Sequence, residues 1–212
     1  ERREARSLLR TFEAIYWAIG LTIGTAVALA APAIARDWIN LGAIPPDEAT
    51  RALRLMGLAI VVRWPVSLYL GALQGMRRQV AANAITCAGA TLAGGGVVLV
   101  LWLVSPGVDA YFAWQIAAFG CQVAAMRFAA WRGLALTGDT PRFSLPLLRA
   151  SARFSLGITG ITALSIVLTQ LDKVLLTRLL PLEEFGFYAL AIAIASVLTT
   201  AGAAVETAVF PV

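Results

Sequence analysis

The sequence predicts an all-α fold, a polytopic transmembrane helix bundle. Three observations carry that prediction. Of the 212 residues, 59% are hydrophobic and 14% charged, whereas soluble domains carry about 25% charged residues. The mean hydropathy is +0.80. The charges are clustered, and they leave six neutral tracts long enough for a helix to cross a bilayer core, which takes about 20 residues.

The six spans are predicted at 12–35, 53–75, 80–104, 110–131, 155–179 and 186–209. The first follows ERREARSLLR. It is too long and too well flanked for a signal peptide, and no small-residue cleavage site follows promptly. The chain starts at Glu1 rather than Met and ends at Val212 soon after an apolar run, so it reads as a piece of a longer protein. The second span contains Arg63 and, two residues on, Pro65, which is expected to kink it or free a backbone carbonyl. Gly94–Gly96 fall in the third span and Gln115 and Gln122 in the fourth. Asp172 and Lys173 interrupt the fifth. Gly20 and Gly24, and Gly71 and Gly75, are spaced GxxxG, a pattern that permits close helix packing or flexing. No GxxxxGK[ST] pattern is present, so no P-loop is expected.

The connections set an orientation. Arg2, Arg3, Arg6, Arg10, Arg77, Arg78, Arg127, Arg132, Arg142, Arg149 and Arg153 fall on one side of the membrane. Only Arg36, Arg51, Arg54 and Arg178 fall on the other, with Asp37, Asp47, Glu48, Asp109, Glu183 and Glu184. The positive-inside rule predicts that Glu1 and the 132–154 connection are cytoplasmic, and six spans return the C-terminal end to the same side. Tyr16, Trp17 and Trp131 near inner boundaries, and Trp38, Trp102, Tyr111 and Trp114 near outer ones, suit an interfacial aromatic belt. In 132–154, Ser144 is a candidate cap for a helix with Pro146 in its first turn. Leu145, Leu147 and Leu148 alternate with Arg149 and Arg153, as in an amphipathic helix on the inner leaflet. The segment also reads as a linker between two bundles or as a plain surface loop.

Several chemistries are disfavoured. There is no His, which removes the commonest metal ligand and general base. Cys87 and Cys121 lie in apolar runs without zinc-ligand spacing and read as packing residues. No metal and no cofactor are expected.

The buried charges are the remaining signal. Arg63 lies deep in its span, where an Arg costs about 2.5–3.5 kcal/mol on insertion scales. It reads as either the partner of a buried carboxylate or a cation lining a path for an anionic substrate. Asp172 is nine residues before Pro181, roughly 13 Å along a helix. Gln170, Lys173 and Thr177 share one helix face, with Asp172 on a neighbouring one. Asp172 is expected to pair with a cation on another helix, with Arg63 the first candidate. The alternatives for this group are an interfacial structural pair and a polar cavity wall where Asp172 takes up a proton or a cation.

The stretch QLDKVLLTRLLPLEEFGFYALA resembles a repeat signature of the polysaccharide flippases, the lipid-linked oligosaccharide exporters of the multidrug/oligosaccharidyl-lipid/polysaccharide superfamily. In that family a D-x-x-L-L-x-x-x-L helix end leads through an L-P-x-E-E-F-G turn into Y-x-x-A. The matching residues are Asp172, Leu175, Leu176, Leu180, Pro181, Glu183, Glu184, Phe185, Gly186, Tyr188 and Ala191. GALQGMRRQ, 71–79, resembles the family's inner turn L-Q-G-x-x-R. Physically, Pro181 stops one helix, Glu183 and Glu184 favour the start of the next, and Gly186 allows close packing, so the turn reads as structural.

The resemblance implies about spans three to eight of a two-lobed exporter. Residues 1–131 would be four spans of an N-terminal lobe, 132–154 the cytoplasmic linker, and 155–212 the first two spans of a C-terminal lobe. It implies a non-enzymatic flippase in a bacterial or archaeal cytoplasmic membrane. That flippase would move a lipid-pyrophosphate-linked oligosaccharide by alternating access, with a coupling ion, H+ or Na+, and no nucleic-acid partner. Arg63, Gln170 and Lys173 are then the substrate-cavity candidates, and Asp172 the candidate for ion coupling or charge pairing. The competing readings are a multidrug exporter of the same superfamily, a membrane glycan polymerase or ligase, and a structural scaffold. Deep cations disfavour the exporter of cationic drugs, and short outer loops without His disfavour the polymerase or ligase.

Overall fold

RREARSLLR contains neither Gly nor Pro, and its Ala, Leu, Arg and Glu are strong helix formers. The first helix therefore begins well before the apolar run: α1 spans Arg2–Ala33. The structure, a computed structural model, describes the backbone of residues 2–42, 44–134 and 145–209, and the side chains of 4–42, 44–134, 160, 162 and 164–197. Pro32 lies inside α1. The helix then widens into a π-turn at Ile34–Trp38, closed by the Ile39 N–H on the Ile34 carbonyl at 3.0 Å. There follow α2 (Pro46–Arg63), α3 (Val66–Gly75), α4 (Gln79–Leu103), α5 (Val108–Gly133), α6 (Leu145–Leu179) and α7 (Leu182–Val209). No strand occurs among the described residues.

The fold class is all-α, as the sequence predicts, and each predicted span coincides with a helix. Among the described residues, Glu4–Trp38, Pro46–Gly75 and Gln79–Leu103 are long and apolar enough, by length and composition, to cross a membrane. Pro65 divides the second of these into α2 and α3. A proline lacks the N–H that would serve the carbonyl four residues back, so the Val61 carbonyl is released; it lies against Gly20 of α1. Residues 145–154 continue into α6 as one helix of 35 residues and are not a separate element. Ser144 and the rest of the connection 135–144 lie outside the described residues, as do the side chains on which its amphipathic character rests.

α1 packs on α2, α2 and α3 on α5, and α4 on α5, while α6 touches α1 and α7. Antiparallel succession gathers the segments 34–45, 104–107 and 180–181 at one end of the bundle, which we call the distal end. The 76–78 turn and the C-terminus of α5 lie at the proximal end. The core sits toward the proximal end, built on Leu9, Tyr69, Leu73, Val123, Met126 and Ala130. Leu29, Trp102, Phe128, Leu168 and Phe187 are exposed, as expected of helices solvated by lipid rather than by water.

Small residues set the closest approaches. A Cβ on Gly24 would lie 2.7 Å from the Gly57 carbonyl oxygen and would collide with Val61 Cγ2. Gly24→Val is therefore expected to destabilise the α1–α2 pair by about 1–3 kcal/mol, the usual cost of overpacking, read as a lowered midpoint of thermal unfolding in detergent. On α4, Gly89 and Gly96 are seven residues apart on one face. They make room for Gln122 and Trp114 of α5, and the Trp114 indole donates to the Leu92 carbonyl at 2.8 Å. A Cβ on Gly71 or Gly75, in contrast, would meet nothing within 4 Å beyond its own helix. Their GxxxG spacing permits close approach without enforcing it, and they line an apolar groove of about 470 Å³ against α1.

The QGMRRQ turn has a clear construction. Arg77 takes the left-handed conformation (φ 55°). The Arg77 N–H reaches the Gln74 carbonyl, and the Arg78 N–H reaches the Leu73 carbonyl at 2.9 Å. The Arg78 guanidinium donates to the Ala129 carbonyl at 3.1 Å. The final Arg of this L-Q-G-x-x-R stretch thus ties the α3–α4 turn to the last turns of α5.

Candidate functional site

The polar residues from Ser165 to Arg178 of α6 lie on exposed or half-buried faces of the helix. Lys173 Nζ donates to Gln170 Oε1 at 2.8 Å, one turn earlier on the same face. An ammonium has three donors, so two remain for an anion. Asp172, on the neighbouring face, accepts a hydrogen bond from the Tyr188 hydroxyl of α7 at 2.5 Å. Asp172 and Tyr188, both in the QLDKV…FYALA stretch, therefore meet each other and pin the α6–α7 hairpin across its turn. A Cβ on Gly186 would meet nothing within 4 Å beyond its own helix, so no close approach to a described residue requires a glycine there.

Arg63 closes α2 at the Pro65 kink. It stacks on the Phe119 ring of α5, 4.7 Å from the centroid. The expected Arg63–Asp172 pair is not formed: Asp172 is held by Tyr188, and α6 packs on α1 and α7. The reason is local. A hairpin places Tyr188 within reach of Asp172, and an aromatic face compensates a guanidinium without a carboxylate. Stacking engages the face of a guanidinium and not its edge N–H groups, which are the groups that pair with an anion's oxygens. Of the candidate residues, Gln170, Lys173 and Asp172 are thus held together on one hairpin, and Arg63 sits apart from them on the α2–α5 pair. No group of three or more His, Cys, Asp or Glu side chains suited to a metal occurs among the described residues.

A second charged cluster escapes a reading based on spans alone. Glu13 of α1, with a side chain only 4% exposed, accepts from the Tyr69 hydroxyl at 2.6 Å, from Arg127 Nε at 2.6 Å and from Arg10 at 3.2 Å. Tyr69 is fully buried. One carboxylate thereby joins α1, α3 and α5 near the proximal end. The available signal was Arg127, a lone cation inside the run AAMRFAA that needs a partner.

At the distal end, Arg51 pairs with Asp109 at 3.3 Å, both more than half exposed. There too the chain after the π-turn meets the α6–α7 turn. Asn40 N–H donates to the Thr177 carbonyl at 3.4 Å, Leu182 N–H donates to the Asn40 carbonyl at 3.0 Å, and Arg178 lies over the Trp38 ring, 5.1 Å from its centroid.

An all-helical bundle with apolar helices long enough to cross a membrane, and no strand among its described residues, has the architecture of a membrane protein. A family model described as polysaccharide biosynthesis protein matches residues 2–212, and the chain belongs to that family. No curated protein and no solved structure matches the chain.

Proposed function

We propose that this chain is part of a flippase that moves a lipid-pyrophosphate-linked oligosaccharide across the cytoplasmic membrane, without chemical change to it, for surface polysaccharide assembly. The observation that carries this reading is the presence of Arg63 and Lys173, cations with donors to spare, in the apolar helices of a polysaccharide biosynthesis protein. A pyrophosphate must bring its charge through a slab of low dielectric, and only compensating cations offset that desolvation. In this reading Arg63 and Lys173 attract the head group, and Gln170 orients the Lys173 ammonium and contributes its amide to the cavity wall. Asp172 either fixes the α6–α7 hairpin through Tyr188 or couples transport to H+ or Na+. The proximal end faces the cytoplasm, because Arg77, Arg78 and Arg132 lie there and the positive-inside rule puts such flanks inside. Residues 1–131 and 155–212 belong to two lobes that rock about the cavity in alternating access.

The test is complementation. The complete gene that encodes this chain is expressed in cells that lack their own glycan flippase but keep the matching glycan pathway, and surface glycan is measured. Restored glycan supports the proposal. Absence of glycan despite confirmed membrane expression turns the assignment toward a drug exporter. Two further variants separate the roles of Asp172. If it serves as a hairpin pin, Tyr188→Phe and Asp172→Asn lower thermal stability in parallel and leave the dependence of export on an ion gradient unchanged. If it couples transport, Asp172→Asn alone removes that dependence.

A further inference from the structure

The distal contact between residues 38–40 and the α6–α7 turn is specified by backbone chemistry. In a helix the Thr177 carbonyl would be served by the N–H of residue 181, but that residue is Pro181 and has none. The Leu182 N–H opens α7 and is one of the orphan donors of a helix start. A single residue from the other half of the chain satisfies both: the Asn40 N–H takes the Thr177 carbonyl, and the Asn40 carbonyl takes the Leu182 N–H. Trp38 and Arg178 flank this exchange with a cation–π contact. Asn40 itself lies beyond the π-turn and before α2, with no helical ladder of its own to satisfy. Every group in this contact is backbone or surface-exposed and meets water if the contact opens, so its making and breaking are nearly balanced. It therefore suits a reversible closure better than a permanent joint.

We propose that Asn40, clamped on the α6–α7 turn and flanked by Trp38 and Arg178, is the latch that holds the two halves together at the distal end and must release for the cavity to open there. This inference rests on the alternating-access reading above and assigns its gate to particular residues. Two measurements on the product of the complete gene test it. First, in a background with the other cysteines replaced, Asn40→Cys and Leu182→Cys are introduced together and oxidised. Cross-linked protein is expected to lose export of glycan, and reduction to restore it. Second, spin labels at Glu48→Cys and Glu183→Cys report the separation of the two sides of the latch in purified protein. Trp38→Ala with Arg178→Ala is expected to raise the long-distance population roughly two- to fivefold, the weight of an exposed cation–π contact. Export at the uncross-linked rate by fully cross-linked protein overturns the latch, and so does a distance distribution that the double substitution leaves unchanged. If the unmodified protein restores no glycan, the flippase reading fails while the distance measurement still decides whether the latch opens.

Discussion

Glu13→Ala is expected to produce the largest loss of stability of any single substitution in the described bundle. The carboxylate lies almost wholly buried between Arg127, Tyr69 and Arg10. Its removal leaves the Tyr69 hydroxyl without an acceptor at a fully buried position and strips Arg127 of its counter-charge. Breaking a buried ion pair from one side costs about 3–5 kcal/mol, and the half-exposed Arg127 places this site near the lower bound, about 3 kcal/mol. Tyr69→Phe removes one hydrogen bond to the carboxylate and is expected to cost about 1.5–2 kcal/mol, the lower part of the range for bonds to a charged group. Thermal unfolding in detergent reads both. The combined variant Glu13→Leu with Arg127→Met removes both charges and is expected to recover most of the loss, because it leaves no buried charge unpaired. A double variant as unstable as Glu13→Ala would show that the cluster acts through shape rather than through charge.

Arg63→Gln is expected to give the largest loss of export while leaving the fold intact. The side chain is exposed and its contact in the bundle is a cation–π stack on Phe119. Its loss therefore costs only about 0.5–1 kcal/mol of stability if the site is open to water, and up to about 2 if it is dry. Its charge, in contrast, is what a pyrophosphate would meet inside the bilayer. Lys173→Gln is expected to act in the same direction, and the pair together to abolish export. Surface glycan in the complemented strain, with protein abundance measured alongside, separates lost transport from lost protein. Wild-type glycan in both single variants would remove the two cations from the mechanism.

The helices were legible because bilayer thickness sets a length that six tracts of this sequence meet, and because Pro65 and Pro181 mark breaks that the backbone cannot ignore. What escaped was pairing. Charge type and helix face do not reveal which helix lies opposite, so Asp172 was matched with Arg63, whereas the nearer Tyr188 of its own hairpin holds it. Glu13 was silent for a related reason. It stands one turn from Arg10, where a carboxylate reads as part of a solvated flank, and its burial depends on Tyr69 and Arg127, 56 and 114 residues away. The glycine pattern was informative only in part: Gly24 meets Gly57, while Gly71 and Gly75, with the same spacing, border a groove. Arg78 shows the reverse case, in which a residue of a short turn motif ties that turn to the last turns of α5.

The central claim is that the protein moves a lipid-linked glycan without altering it, and reconstitution tests that most directly. The product of the complete gene is placed in vesicles whose lipid includes a fluorescent lipid-pyrophosphate oligosaccharide, and the fraction open to an impermeant quencher is followed with time. The account predicts that the protected fraction exchanges sides in the presence of the protein, that the recovered lipid is chemically unchanged, and that Arg63→Gln with Lys173→Gln stops the exchange. A lipid that stays on its original side, or one recovered with its glycan lengthened or transferred, would contradict it.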